Sequence, residues 1–368
     1  PAKPSYKRLG KYCAEKQICV DIISMNSKNH CDVATMRIVP EKTGGEMLYY
    51  PEFDLGSRYY QDRMRQDVKR LLTAYVALEA TLKIRCSEGL RVVAIHGPGD
   101  ADRDPSQVNV ALLGEDLSFC ASFEYTTDLG EDQKNVYLQV SLLHTSMSGR
   151  RTVRVMNLQL PLTSQLSSTF RHSDIDTVCN LLCRKAVRKV YENVRDSSSQ
   201  MKRMMSGVRD HLLSRVIKML HAYRRYCATA SSSGQLILPE ALKFLPLLTL
   251  ALRKSVWLQS NEISITPNIR ADERAASMSL LQSASPALFM STLYPYLFCL
   301  HEMKAEHGLP HKETPSGESR PDADDVFLPK PQYPSSEHLT EMGLLLLVNG
   351  LDFYFWVGRK VLRTTLQD

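Results

Sequence analysis

The spacing of apolar positions changes character along the chain and divides it into segments. Residues 18 to 25 (Ile-Cys-Val-Asp-Ile-Ile-Ser-Met) and 33 to 39 are short apolar runs that predict strands. Gly44-Gly45 then predicts a turn before the aromatic-rich Tyr49-Tyr50-Pro51-Glu52-Phe53. From Ser57 to about Thr73 the period becomes helical, with Tyr60, Met64, Val68, Leu71 and Leu72 on one side. This opening predicts the edge of a larger α/β domain that begins before the first residue.

Between residues 78 and 162 the period is two. Phe119, Ala121, Phe123 and Tyr125 alternate with polar neighbours, as do Val136, Leu138, Val140 and Leu142. Asp128-Leu-Gly and Ser146-Met-Ser-Gly149 supply turn residues. Residues 151 to 162 alternate less cleanly, which predicts a bulge there. Several short strands joined by turns predict a β-sandwich.

After residue 170 the period becomes 3.6. Ser173 and Asp176 form a capping-box-like start, followed by Ile175, Val178, Cys179, Leu182, Ala186 and Val190 on one stripe. A second helix is expected from about Met201 to Tyr226, and a third from Pro239 with a kink at Pro246. A fourth spans 271 to 283. Residues 303 to 336 hold six prolines among charged and small polar residues and predict a flexible insertion. Around it, Tyr296 to His301, Leu344 to Val348 and Phe353 to Val357 predict three buried strands of a small α/β module. The expected order is thus the end of an α/β domain at 1–77, a β-sandwich at 78–162, an all-helical domain at 163–283 and an α/β domain at 284–368.

Composition narrows the chemistry. A chain of 368 residues has room for two to four domains, and its net charge of +6 is compatible with an acidic partner of several kinds. Nine scattered cysteines without a CxxC pair indicate reduced thiols of a cytosolic protein rather than a disulfide framework or a zinc site. No secretory signal opens the chain. The longest apolar stretch, Leu242 to Leu252, falls short of the roughly 20 residues that cross a bilayer.

Residues 83 to 92, Lys-Ile-Arg-Cys-Ser-Glu-Gly-Leu-Arg-Val, combine a strand pattern with a charge pattern. On a strand Lys83 and Arg85 project to one face while Leu82, Ile84 and Cys86 face a core. Two cations on one rigid surface suit a carboxylate-bearing partner, although an exposed basic strand face is common. A second feature is the run from Arg184 to Arg225, with twelve Lys or Arg against three Asp or Glu, a balance of +9 (12 − 3). It points to an anionic membrane surface or a protein partner. Nucleic acid is disfavoured because no stacking platform, recognition helix or zinc module accompanies the charge.

Catalytic readings fail. Cys86, Cys120 and Cys227 have His96, His144 and His221 elsewhere in the chain, but nothing resembles a nucleophile elbow, and Cys86 falls on the apolar strand face. The ten histidines show no metal-ligand spacing. His96-Gly-Pro-Gly99 lacks the Lys-Ser/Thr of a phosphate loop, and Asp272-Glu273-Arg274 is best read as a structural cap or ion pair at a helix start.

The ordered motifs carry a resemblance. They are Thr43-Gly44-Gly45 with Tyr50-Pro51-x-Phe53; Lys83-Ile84-Arg85-Cys86-Ser87-x-Gly89-Leu90-Arg91; and Leu142-Leu143-His144-Thr145-Ser146 with Gly149-Arg150-Arg151 and Arg154-Val155. Tyr223-Arg224 with Gly234-Gln235-Leu236-Ile237-Leu238-Pro239, Asp272-Glu273-Arg274, and Asn349-Gly350-Leu351 with Phe355-Trp356-Val357-Gly358 follow. In this order they resemble the cargo-adaptor subunit of the COPII vesicle coat.

The resemblance implies an α+β multidomain fold: the end of a von Willebrand A-like trunk, a β-sandwich, a helical domain and a gelsolin-like domain that stops before its final helix. The family's zinc finger and most of the trunk would precede the first residue, so no cofactor is expected here. The implied role is non-enzymatic selection of cargo at endoplasmic-reticulum exit sites, on the cytoplasmic side of the membrane and on vesicles. The implied partners are the cytosolic tails of cargo and SNARE proteins, the GTPase-activating sister subunit and, through the coat, a Sar-type GTPase. Lys83 and Arg85 match the family's acidic-signal pocket, with Arg151 and Arg154 in supporting positions. The family usually has Arg where this chain has Lys83; Lys keeps the charge but loses the planar fork. The sister subunit itself and a gelsolin-type actin-binding protein are the alternative identities. The Thr-Ser-x-Ser-Gly-Arg-Arg segment favours the adaptor over the first, and the single gelsolin-like unit disfavours the second.

Overall fold

The computed structural model describes residues 2–26, 30–101, 104–130, 133–193, 198–228, 235–259, 269–304, 307–308 and 328–361. The chain divides into two units, Pro1–Pro286 and Ala287–Asp368.

The first unit opens with α1 (Ala2–Glu15) and a parallel pair of strands, β1 (Ile22–Asn26) and β2 (Met47–Pro51). Parallel strands need a crossover, and α2 (Val33–Met36) and α3 (Ile38–Thr43) form it. The strand expected at 33 to 39 is therefore a pair of short helices. Its β-branched residues favour a strand, but a cap from far along the sequence overrides that preference. The buried Asp272 carboxylate accepts the backbone N–H of Cys31 at 2.7 Å and of Val33 at 2.9 Å, and His30 Nδ1 lies 2.9 Å away. Asp272-Glu273-Arg274 is thus structural, as its position implied. Gly44, at φ 85°, ends α3 in the left-handed region, where a Cβ would stand 2.0 Å from the Leu112 carbonyl oxygen. The expected helix follows as α4 (Arg58–Thr73).

Six antiparallel strands come next: β3 (Val76–Cys86), β4 (Leu90–His96), β5 (Gln107–Gly114), β6 (Cys120–Tyr125), β7 (Asn135–Thr145) and β8 (Arg151–Pro161). They form a four-stranded sheet in the order β5-β3-β7-β8 and a two-stranded sheet, β4-β6. Ala80, Ile84, Val92, Ile95, Val108 and Val110 make a buried core from strands of both sheets. No bulge interrupts β8, which pairs with β7 without a break from Asn135↔Pro161 to Thr145↔Arg151. The irregularities fall instead in β3, between Leu78 and Thr81, and in β4, between Val92 and Ala94. The weak alternation of β8 has another cause: it is an edge strand whose side chains are nearly all exposed, so neither face is selected to be apolar.

The helices of this unit are α5 (Leu166–Arg171), α6 (Ile175–Asn193), α7 (Ser198–Cys227), α8 (Leu245–Lys254) and α9 (Ala271–Ser283). The cap of α6 is Asp174, not Ser173. Its Oδ2 accepts from the Thr177 N–H at 2.9 Å and from Thr177 Oγ1 at 2.5 Å, which holds this carboxyl below its usual range. Ser173 Oγ instead donates backwards to the Thr169 carbonyl. Pro246 does not kink a helix begun at Pro239. A single 3-10 turn at Glu240–Leu242 precedes α8, and Pro246 sits in the first turn of α8, where its missing N–H costs nothing.

One side chain joins three parts of this unit. Arg184, on α6, is 1% exposed. Its Nη1 donates to the carbonyl oxygens of His96 (3.0 Å) and Ser118 (2.9 Å), and its Nη2 to Ser118 Oγ (2.5 Å) and the Ala284 carbonyl (2.8 Å). Ser118 Oγ in turn donates to the Ala284 carbonyl at 2.6 Å. The guanidinium thereby ties α6 to one end of the β4-β6 pair, where His96 pairs with Cys120, and to the exit of α9. Nearby, Arg37 stacks on the Tyr191 ring, 3.1 Å from its centroid, and pairs with Glu41 at 2.5 Å.

The second unit takes in α10 (Pro286–Leu293) from Ala287 onward, followed by β9 (Tyr296–Cys299), β10 (Leu344–Val348) and β11 (Phe353–Val357). All three expected strands form one antiparallel sheet, ordered β11-β10-β9, with Leu297, Cys299 and Leu345 buried; β11, expected to be buried, is instead an edge strand exposed along its whole length. Asn349 Oδ1 accepts from the N–H groups of Leu351 and Asp352 and so shapes the β10–β11 turn. The expected insertion at 303–336 lies largely outside the described residues.

Two outcomes follow for urea denaturation of the full chain. Arg184→Ala strands several buried carbonyls and is expected to lose roughly 3 kcal/mol or more, whereas Arg184→Lys keeps the charge but loses the fork and falls between. Asp174→Ala is expected to cost about 1 kcal/mol at neutral pH. Because the folded-state pKa of Asp174 is lowered, its contribution is complete above the unfolded carboxylate pKa and fades as pH falls through the folded value, so the gap between the two proteins closes in acid.

Candidate carboxylate-binding site

The middle of β3 alternates as its sequence requires. Leu82 and Ile84 are buried, Lys83 is half-buried and Arg85 is exposed. Strand register extends this face across the sheet, because directly paired residues share a side. Arg85 pairs with Gln139 on β7, which pairs with Asn157 on β8; Lys83 pairs with Ser141, which pairs with Val155.

The two cations differ in their surroundings. Lys83 Nζ lies 3.2 Å from Asp104 Oδ2. Asp104 is itself fixed by Ser106, whose N–H (2.8 Å) and Oγ (2.7 Å) both donate to Oδ1. Those bonds, with Lys83 adding to them, hold the Asp104 carboxyl below its usual range. Arg85 has neutral company. Its Nη1 lies 3.3 Å from Gln139 Oε1, and Gln139 Nε2 donates to Asn157 Oδ1 at 3.1 Å. No carboxylate among the described residues forms an ion pair with Arg85.

A recess of about 290 Å³ opens beside this row, lined by Arg85, Cys86, Ser87, Tyr137, Leu138, Gln139 and Asn157. Ser87 Oγ accepts the Tyr137 N–H at 3.1 Å, holding the tyrosine at the rim. The recess thus presents one guanidinium, two amides and an aromatic ring. That set suits a carboxylate on a short peptide, since a guanidinium gives paired donors and amides add neutral ones.

The supporting residues separate. Arg151 lies on the same face as Lys83 and Arg85, at the far end of β8, where its Nη1 donates to Thr145 Oγ1 (2.7 Å) and the Glu79 carbonyl (3.1 Å) and meets Glu79 Oε2 at 3.3 Å. Arg154, three positions on, pairs with Leu142 and lies on the opposite face. Sequence reasoning missed Tyr137, Gln139 and Asn157. Part of the signal was present: the alternation of β7 puts Tyr137 and Gln139 on the face away from the core, but only strand register sets that face beside Arg85 and brings Asn157 to it.

Among the described residues, Cys86 and Cys120, singled out as nucleophile candidates, are poorly placed to react. Burial pushes the Cys86 and Cys120 thiols up, away from reactivity. Among the described residues, no group of His, Cys, Asp and Glu has metal-binding geometry, and no helix is long and apolar enough to cross a membrane. Within the basic run Arg184 is buried, and Arg209 Nη1 is committed to the Leu258 carbonyl at 3.1 Å. Those two do not belong to a solvated charged face.

Comparison with known proteins agrees with this architecture. Residues 1–72 match the Sec23/Sec24 trunk domain, 77–163 the Sec23/Sec24 beta-sandwich domain and 174–291 the Sec23/Sec24 helical domain. The chain is 30% identical over 368 residues to the protein transport protein SEC24 B of Arabidopsis thaliana, covering 100% of this chain and 30% of that protein. The same figures hold for human Sec24C. The crystal structure of the human COPII-coat protein Sec24c superposes with a TM-score of 0.80 at 28% identity, covering 98% of this chain and 43% of that one. The chain therefore spans about a third of the length of its curated relatives. With three adjoining segments matching three domains of one family, and with these relatives all Sec24 proteins, the chain belongs to the Sec23/Sec24 family, on its Sec24 side.

Proposed function

We propose that this chain is the signal-reading part of a Sec24-type cargo adaptor of the COPII coat, acting without catalysis in transport from the endoplasmic reticulum to the Golgi. The observation that carries the reading is the Arg85–Gln139–Asn157 row with its adjoining recess. Its ligand is a short acidic signal in the cytosolic tail of a cargo or SNARE protein. Arg85 supplies the paired donors, Gln139 and Asn157 add neutral ones, and Lys83 contributes less because Asp104 already neutralises it.

The domain limits and partners complete the proposal; the family matches bear only on the trunk, β-sandwich and helical segments. The domain limits are 1–77, 78–162, 163–283 and 284–368, the last a gelsolin-like domain. The sister subunit, and a Sar-type GTPase through the coat, are the protein partners, and the protein works at the cytoplasmic face of the membrane.

Fluorescence polarisation with a labelled acidic peptide tests the reading. Lys83→Ala with Arg85→Ala is expected to weaken binding roughly 10- to 100-fold, the scale of losing charge-assisted hydrogen bonds. Arg85→Ala alone accounts for most of the loss. Affinity falls as salt rises, because both cations are partly solvated. Arg85→Gln changes stability by less than about 0.5 kcal/mol, as expected of an exposed position, which separates a binding defect from misfolding. Undiminished binding by the double variant rejects the site.

A further inference from the structure

A second cationic recess, unrelated to the β3 row, lies between α6 and α7. It encloses about 140 Å³ and is lined by Leu182, Lys185, Ala186, Lys189, Val208, His211, Leu212 and Arg215. The floor is apolar: Ala186, Val208 and Leu212 are buried. The rim is cationic and comes from two helical ladders. Lys185 and Lys189 stand one turn apart on α6, as do His211 and Arg215 on α7, with Lys218 a further turn along.

This arrangement is electrostatically unfavourable when empty. Burial and the neighbouring Arg215 both pull the Lys185 pKa down. Burial, Lys189, Arg215 and Lys218 do the same to His211. No carboxylate among the described residues forms an ion pair with Lys185, His211 or Arg215. Asp210 adjoins His211 in sequence, but successive helical side chains diverge by about 100°, so it projects elsewhere. Like charges gathered over a low-dielectric floor gain most from a compact ligand of high negative charge. The volume fits a phosphate group with a few waters, water occupying about 30 Å³ each.

We propose that the α6–α7 recess binds a phosphate group, with Lys185 and Arg215 as its main contacts and Lys189 and His211 at the rim. The group comes from a phosphoinositide headgroup or from a soluble inositol phosphate, which share this chemistry. The inference stands apart from peptide recognition at Arg85, so either can fail alone.

Two probes distinguish the sources: soluble inositol 1,4,5-trisphosphate, and phosphatidylcholine vesicles with and without phosphatidylinositol 4-phosphate. The full chain is compared with Lys185→Gln/Arg215→Gln, both partly or fully solvated positions. Saturating trisphosphate is expected to raise the thermal midpoint of the wild type by a few degrees and to shift the ring resonances of His211. The double variant is expected to bind about tenfold more weakly or worse, yet to be at least as stable without ligand, because a repulsion has been removed. Trisphosphate binding lost in the variant, without vesicle binding, assigns the site to a soluble phosphate; phosphoinositide-dependent vesicle binding lost in the variant assigns it to the lipid. The proposal is overturned if neither probe binds, or if the variant binds both as well as the wild type.

Discussion

The first unit depends on a buried arginine that has no carboxylate partner among the described residues. Arg184 spends its Nη donors on the carbonyl oxygens of His96, Ser118 and Ala284 and on the Ser118 hydroxyl. Carbonyl oxygens at the ends of elements are the groups that regular structure leaves unpaired, so one planar cation satisfies several at once. Burial draws the guanidinium pKa down, yet at neutral pH the group keeps its charge and the neighbouring dipoles must stabilise it. The consequence is a fixed relation among α6, the β4-β6 pair and the end of α9. Asp272 does the complementary work at the start of α9, where a buried anion collects the N–H groups of Cys31 and Val33.

Against this frame the cations divide into classes by their surroundings. Arg184 and Arg209 serve carbonyls and Lys83 is neutralised by Asp104. Arg85 lies among amides, and the cations at the α6–α7 recess repel one another over an apolar floor. Formal charge in the sequence cannot separate these classes, because each is set by what lies opposite in space. The net charge of +6 therefore says less about partners than the position of a single guanidinium.

Periodicity made much of the fold legible. The strands flanking Arg85 and the face shared by Lys83 and Arg85 follow from alternation, and the three strands of the second unit from short apolar runs; both signals are local. What failed was decided at a distance. The β-branched run at 33 to 39 became helical because Asp272, more than 230 positions away, caps it. The weak alternation of β8 reflects exposure of an edge, and Pro246 opens a helix because the chain before it makes only one 3-10 turn. At the site, Arg85 was visible but its setting was not: Gln139 and Asn157 are 54 and 72 positions beyond it and meet it only through register.

Carboxylate recognition at Arg85 is tested most directly from the ligand side, by isothermal titration of the full chain with an acidic peptide and with the same peptide carrying Asn and Gln in place of Asp and Glu. A guanidinium in neutral company predicts that the acidic form binds, that the amide form is weaker by at least about tenfold, and that the difference narrows as salt rises. Equal binding of the two peptides at low salt would contradict a carboxylate-reading role for this face of the sheet.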